Sequence, residues 1–151
     1  MPRRFPLQPL HDLANNRVEA AAQRLALLKQ QWQLQEDKLK QLYAFQEEYR
    51  SRLSTTVTHG IGMMLMRDFQ VFLRKIELAI RQQKTEIDRA KLRWEEGQHV
   101  WLEERRKLKT YDVLQQRHLR SEGVRDGRIE QREQDEHARN SHSRKRTPVD
   151  R

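Results

Sequence analysis

A chain of 151 residues with 35% hydrophobic and 35% charged residues is too polar for an ordinary globular core. Its richness in Glu, Lys, Arg, Gln and Leu points instead to long helices or coiled coil, and a protein of that kind has no deep interior to hold a sizeable pocket. The net charge of +9 is spread along the chain, with 9 basic against 6 acidic residues in 1–60, 12 against 9 in 61–116 and 10 against 7 in 117–151. A nucleic-acid binder gathers its basic residues on one patch, so specific nucleic-acid binding is not expected and an acidic protein partner fits better.

The absence of Cys excludes a disulfide framework and a thiolate site, which suits a reducing compartment. Arg3 and Arg4 are followed by no apolar run of the kind a signal peptide needs, and no apolar stretch approaches the length of a membrane span. The expected location is the cytosol.

Pro2, Pro6 and Pro9 keep residues 1–9 extended, and Pro9 is placed to open a helix where its missing N–H costs nothing. A first helix is predicted over 10–56. Its heptad a positions are His11, Val18, Leu25, Trp32, Leu39, Gln46 and Leu53, and its d positions Ala14, Ala21, Leu28, Gln35, Leu42, Tyr49 and Thr56. Thr55, Thr56 and Thr58 then weaken the helix by β-branching, and Gly60 and Gly62 supply backbone freedom, so 57–63 reads as a bend.

A second helix is predicted over 64–118. Its a row is Met66, Leu73, Ile80, Ile87, Trp94, Trp101, Leu108 and Gln115, and its d row Phe69, Ile76, Gln83, Ala90, Gly97, Glu104, Tyr111 and His118. Gly97 inside this helix costs about 1 kcal/mol against Ala, and its missing side chain admits the facing helix or a bulky Trp. With the bend near residue 60, paired positions sum to about 120. That register sets Trp94 against Leu25 or Leu28, Trp101 against Val18 and Ala21, and Pro9 against Tyr111. The fold expected is therefore all-α: an antiparallel two-helix coiled-coil hairpin with a longer second helix. Residues 119–139, with Gly123 and Gly127 and few large apolar residues, read as an unpaired fraying helix. Residues 140–151 read as a disordered basic tail, in which Arg144, Lys145 and Arg146 resemble a short nuclear-localisation patch.

The bend end carries more apolar surface than a two-helix seam requires. Phe45, Phe72 and Ala79 fall at g, beside the seam, and with Leu42, Tyr49 and Ile76 they make an apolar ribbon along one edge. Periodicity alone leaves open whether this ribbon broadens the core or forms a docking surface. Nothing supports an enzyme. The six His residues include no i, i+4 pair, Gly60 and Gly62 lack the rest of a phosphate loop, and Glu47/Glu48, Glu95/Glu96 and Glu103/Glu104 are adjacent solvated charges. No metal or cofactor is expected.

The run Phe45-Gln46-Glu47-Glu48-Tyr49-Arg50-Ser51-Arg52-Leu53, then Gly60-Ile61 and Asp68-Phe69-Gln70-Val71-Phe72, resembles the bend region of the flagellar export protein family FliJ. Arg4-Phe5-Pro6-Leu7-Gln8 with Leu13-Ala14, and the segment 128–138, fit the same family. The likeness includes the bend and residues off the seam, which heptads do not dictate. It implies a non-enzymatic stalk-like coiled coil of the flagellar type III export apparatus, similar to the central stalk of rotary ATP synthases. It implies as partners the export ATPase (FliI-like) with its regulator (FliH-like), the membrane platform protein FlhA and export chaperones. Membrane association would then be peripheral, at the flagellar base and through those proteins. The family's platform-binding stripe falls on Lys38, Leu42, Phe45, Tyr49, Phe72, Ile76, Ala79 and Gln83. Exposed charge at Arg24, Arg105, Arg106 and Lys107 is expected to face the ATPase. The alternatives are the equivalent stalk of a virulence injectisome and a basic coiled-coil tether binding nucleic acid.

Overall fold

A computed structural model describes residues 3–60 and 62–145. They form two helices, α1 (Gln8–Thr58) and α2 (Met63–Lys145), with no strand among the described residues. The chain divides into two units, Val18–Glu103 and Met1–Arg17 with Glu104–Arg151.

In the Val18–Glu103 unit the helices run antiparallel: Phe45 meets Phe72, Gln35 meets Gln83, and Trp32 meets Trp94. The seven-residue repeat decides what is covered. Along α1 from Pro9 onward, every a and d residue is at least half-buried and every other residue is exposed. On α2 all a and d residues from Met66 to His118 are likewise covered. The best-buried side chains are alanines and branched aliphatics: Ala14, Ala21, Leu28, Ile76, Ile80 and Ala90. No described helix is long and apolar enough to cross a membrane.

The helix break is shorter than the predicted bend. Thr55, Thr56 and Thr58 do not end α1, because their hydroxyls donate to the carbonyls of Ser51, Arg52 and Ser54 one turn back. Termination falls to Gly60, whose φ of 81° is open only to glycine at low cost. Its N–H donates to the Val57 carbonyl, and Met66 N–H donates to the Gly62 carbonyl as α2 begins. Ile61 lies outside the described residues.

Trp94 has a ring partner that the register did not name. Trp94 packs on Trp32 with ring centroids 5.4 Å apart, while Gly97 faces Leu28 and Leu25. Helical side chains lean toward their own N-terminus. Trp94 therefore leans toward the bend, where the facing residues of α1 carry higher numbers. Leu28 leans the opposite way, toward higher numbers on α2. Counting Cα positions from the bend misses both displacements.

In the other unit α1 and α2 also run antiparallel, with Gln8 bonded to Gln115 and His11 to Asp112. Pairing reaches beyond Tyr111: His118 stacks on Phe5 at 5.6 Å, and its Nε2 lies 2.9 Å from the Arg3 carbonyl. Contrary to the disordered tail expected from residue 140, α2 runs on to Lys145. Gly123 and Gly127 do not interrupt it, and α2 contains no Pro. Arg146 and the rest of the expected basic tail lie outside the described residues.

Candidate docking edge near the bend

The heptad that builds the seam also sets the edge. Leu42 and Tyr49 are d residues of α1 that are half-buried, and Phe45 between them projects from g and is exposed. Phe72 and Ala79 occupy g on α2 and are half-buried. Four rings interlock here. Tyr49 lies 4.5 Å from Phe72 and 5.2 Å from Phe69, and Phe45 meets Phe72 edge-on at 6.0 Å and Tyr49 at 6.4 Å. Ring pairs at these separations add to what area burial provides. Phe45, Tyr49 and Phe72 thus each touch the other two, while Phe45 remains 47% exposed.

A shallow open groove runs past the Phe45 ring, lined by Lys38, Gln41, Leu42, Phe45 and Gln83. Four of these belong to the predicted stripe. Gln41 does not, although helical spacing links it to the others: it stands three residues after Lys38 and four before Phe45.

The eight stripe residues differ in what they can offer. Lys38 and Phe45 are exposed, and Leu42, Tyr49, Phe72, Ala79 and Gln83 are half-buried. Ile76 is only 4% exposed. It sits at d with its side chain inside the seam, and so supports the edge from beneath. Gln83 is partly committed as well. Its Nε2 donates to the Gln35 carbonyl at 2.8 Å and to Gln35 Oε1 at 2.7 Å, leaving its carbonyl oxygen for a partner. This cross-helix amide pair places a polar layer in the seam, the device by which coiled coils fix register.

Of the residues expected to face the ATPase, Arg24 is exposed on α1 in the Val18–Glu103 unit. Arg105, Arg106 and Lys107 are exposed on α2 in the other unit, with Lys107 Nζ 3.9 Å from Glu104. In that second unit Arg106, Lys109, Thr110, Val113, Leu114 and Arg117 line a second open groove on α2.

His11 also belongs to that unit. His11 Nε2 lies 2.6 Å from Asp112 Oδ1, and its Nδ1 faces Asp12 at 3.7 Å. The Asp112 hydrogen bond, helped by both carboxylate charges and opposed by burial, raises the His11 pKa above its ordinary 6.5.

The chain matches the family described as "Flagellar FliJ protein" over residues 3–147. It is 30% identical over 139 residues to the flagellar FliJ protein of Salmonella typhi, covering 92% of this chain and 95% of that one. The flagellar FliJ protein of Escherichia coli (strain K12) gives the same identity and coverage.

Proposed function

The chain belongs to the flagellar FliJ family, and from that membership we propose that it is a non-catalytic, stalk-like component of the flagellar type III export apparatus. In this reading it links the export ATPase to the FlhA-like export platform, escorts export chaperones and reaches the membrane only through its protein partners. The flagellar names of both relatives favour this system over the equivalent stalk of a virulence injectisome. The bend end meets the platform through Lys38, Leu42, Phe45, Tyr49, Phe72, Ala79 and Gln83, with Ile76 holding the edge from within. The charged positions Arg24, Arg105, Arg106 and Lys107 meet the ATPase and its FliH-like regulator.

The observation that carries the docking role is the exposed Phe45 ring. It is braced by Phe72 and Tyr49 and stands at the rim of a groove that also presents the Lys38 ammonium. An aromatic held in place by neighbours loses little freedom on binding, which is the property of an interface anchor. Expression of the chain in a motile bacterium deleted for its own FliJ-type protein tests the reading. Wild type is expected to restore swimming and to raise turnover of the purified export ATPase. Restored export of no flagellar substrate, together with unchanged ATPase turnover at saturating protein, would overturn it.

A further inference from the structure

The f position of a two-helix coiled coil points away from the seam and is ordinarily polar. On α1 near the bend it carries no large apolar residue, with Asp37, Ala44, Ser51 and Thr58. On α2 the same row reads Met64, Val71 and Leu78, which are 82%, 47% and 49% exposed. The adjacent b row reads Arg67, Arg74 and Arg81, all exposed. Three apolar side chains and three arginines thus alternate along residues 64–81, about 27 Å of helix at ~1.5 Å per residue.

The pattern has the geometry of a seam. From f to b is three residues and from b to the next f is four, the same alternation as a and d. Two rows so related stay in line along a supercoiled helix and accept the knobs of another helix. The pattern is also bounded. At the next heptad Thr85 interrupts the apolar row, and the b row changes sign to Asp88 and Glu95.

Charge selects the occupant. The arginines flank the apolar row on one side only; on the other side the c row holds Asp68, Lys75 and Gln82. A helix lying in an anionic membrane surface carries basic residues along both borders of its apolar face. One apolar row beside one cationic row instead complements a helix with an apolar row beside an anionic one. The face is also separate from the Phe45 edge, since the c row lies between f and the g positions of Phe72 and Ala79.

We propose that Met64, Val71 and Leu78 with Arg67, Arg74 and Arg81 form a second seam that docks an amphipathic, acidic helix of a partner protein. The probes are two labelled helical peptides about three heptads long. One carries Leu and Glu alternately at three- and four-residue spacings; the other has Lys in place of Glu. Vesicles containing phosphatidylglycerol serve as the lipid probe. The full chain is expected to bind the Leu/Glu peptide saturably. Replacing all three arginines (Arg67→Glu, Arg74→Glu, Arg81→Glu) is expected to weaken that binding at least about tenfold and to transfer preference to the Leu/Lys peptide, a gain that only a folded variant can show. Phe45→Ala should leave both affinities unchanged. Absence of saturable Leu/Glu binding, or equal binding by the charge-reversed chain, would overturn the proposal. So would vesicle binding lost on charge reversal without any peptide binding, which would assign the face to lipid.

Discussion

Leu28 fills the space that a side chain at Gly97 would need: a Cβ built there lies 2.6 Å from Leu28 Cδ1. Glycine inside a helix costs about 1 kcal/mol against alanine, so Gly97→Ala would ordinarily stabilise. Here that gain is opposed by overpacking against a buried leucine, typically about 1–3 kcal/mol. Urea unfolding should therefore show no stabilisation from Gly97→Ala alone. In a Leu28→Ala background the same substitution should recover roughly 1 kcal/mol. Equal effects in the two backgrounds would mean that Leu28 is not what keeps residue 97 a glycine.

The edge residues should separate by depth. Ile76→Ala removes a buried side chain and is expected to cost about 2–5 kcal/mol, toward the lower end in a thin two-helix core. Phe45→Ala should cost well under about 1 kcal/mol, because much of the ring is already in water. Phe72→Ala should fall between them, since its ring is half-buried against Tyr49. Thermal melts of the three variants check the order. A loss for Phe45→Ala as large as that for Ile76→Ala would make the edge part of the core.

The Gln35 and Gln83 amides should behave as a pair. Gln83→Leu alone leaves a half-buried Gln35 side chain without its donor and is expected to lower the melting temperature. Gln35→Leu with Gln83→Leu completes an apolar layer and is expected to raise it. The cost should appear as a less specific register, since a polar layer in the seam penalises misaligned pairings. A double variant less stable than the single one would refute this account.

The His11–Asp112 pair makes the stability of its unit depend on pH. The raised pKa means that the folded state holds the proton more tightly than the unfolded one. The stabilisation is fully present below the ordinary histidine value of 6.5 and is lost as pH rises through the raised one. A titration of the His11 ring followed by NMR should place its midpoint above 6.5, returning toward that value in Asp112→Asn. Melting curves should show the wild type losing its advantage over Asp112→Asn as pH rises through that window. A midpoint unaffected by Asp112→Asn would contradict the assigned cause.

Much of the fold was legible because one repeat governs burial. The a and d rows counted from Leu39 and Leu73 are covered throughout α1 from His11 and along α2 as far as His118, where g residues such as Phe72 and Ala79 are covered as well. The apolar ribbon at g was legible for the same reason. What escaped the repeat was side-chain direction. Trp94 leans onto Trp32, and the Gln83 amide is drawn onto Gln35. The threonines before the bend misled because β-branching weakens a helix without ending it, whereas their hydroxyls found carbonyls one turn back. The residues from Asn140 to Lys145 read as tail from composition, yet nothing there breaks a helix already under way.

The central claim is that Phe45 anchors a docking surface on a hairpin that folds without it. Isothermal titration of the cytoplasmic domain of a FlhA-like platform protein into wild type and Phe45→Ala, with melting curves recorded on the same preparations, tests this directly. The account predicts that wild type binds, and that Phe45→Ala loses about 2 kcal/mol or more of binding with a nearly unchanged melting temperature. Equal affinity of the two chains, or a loss of binding that only tracks a loss of helix, would contradict it.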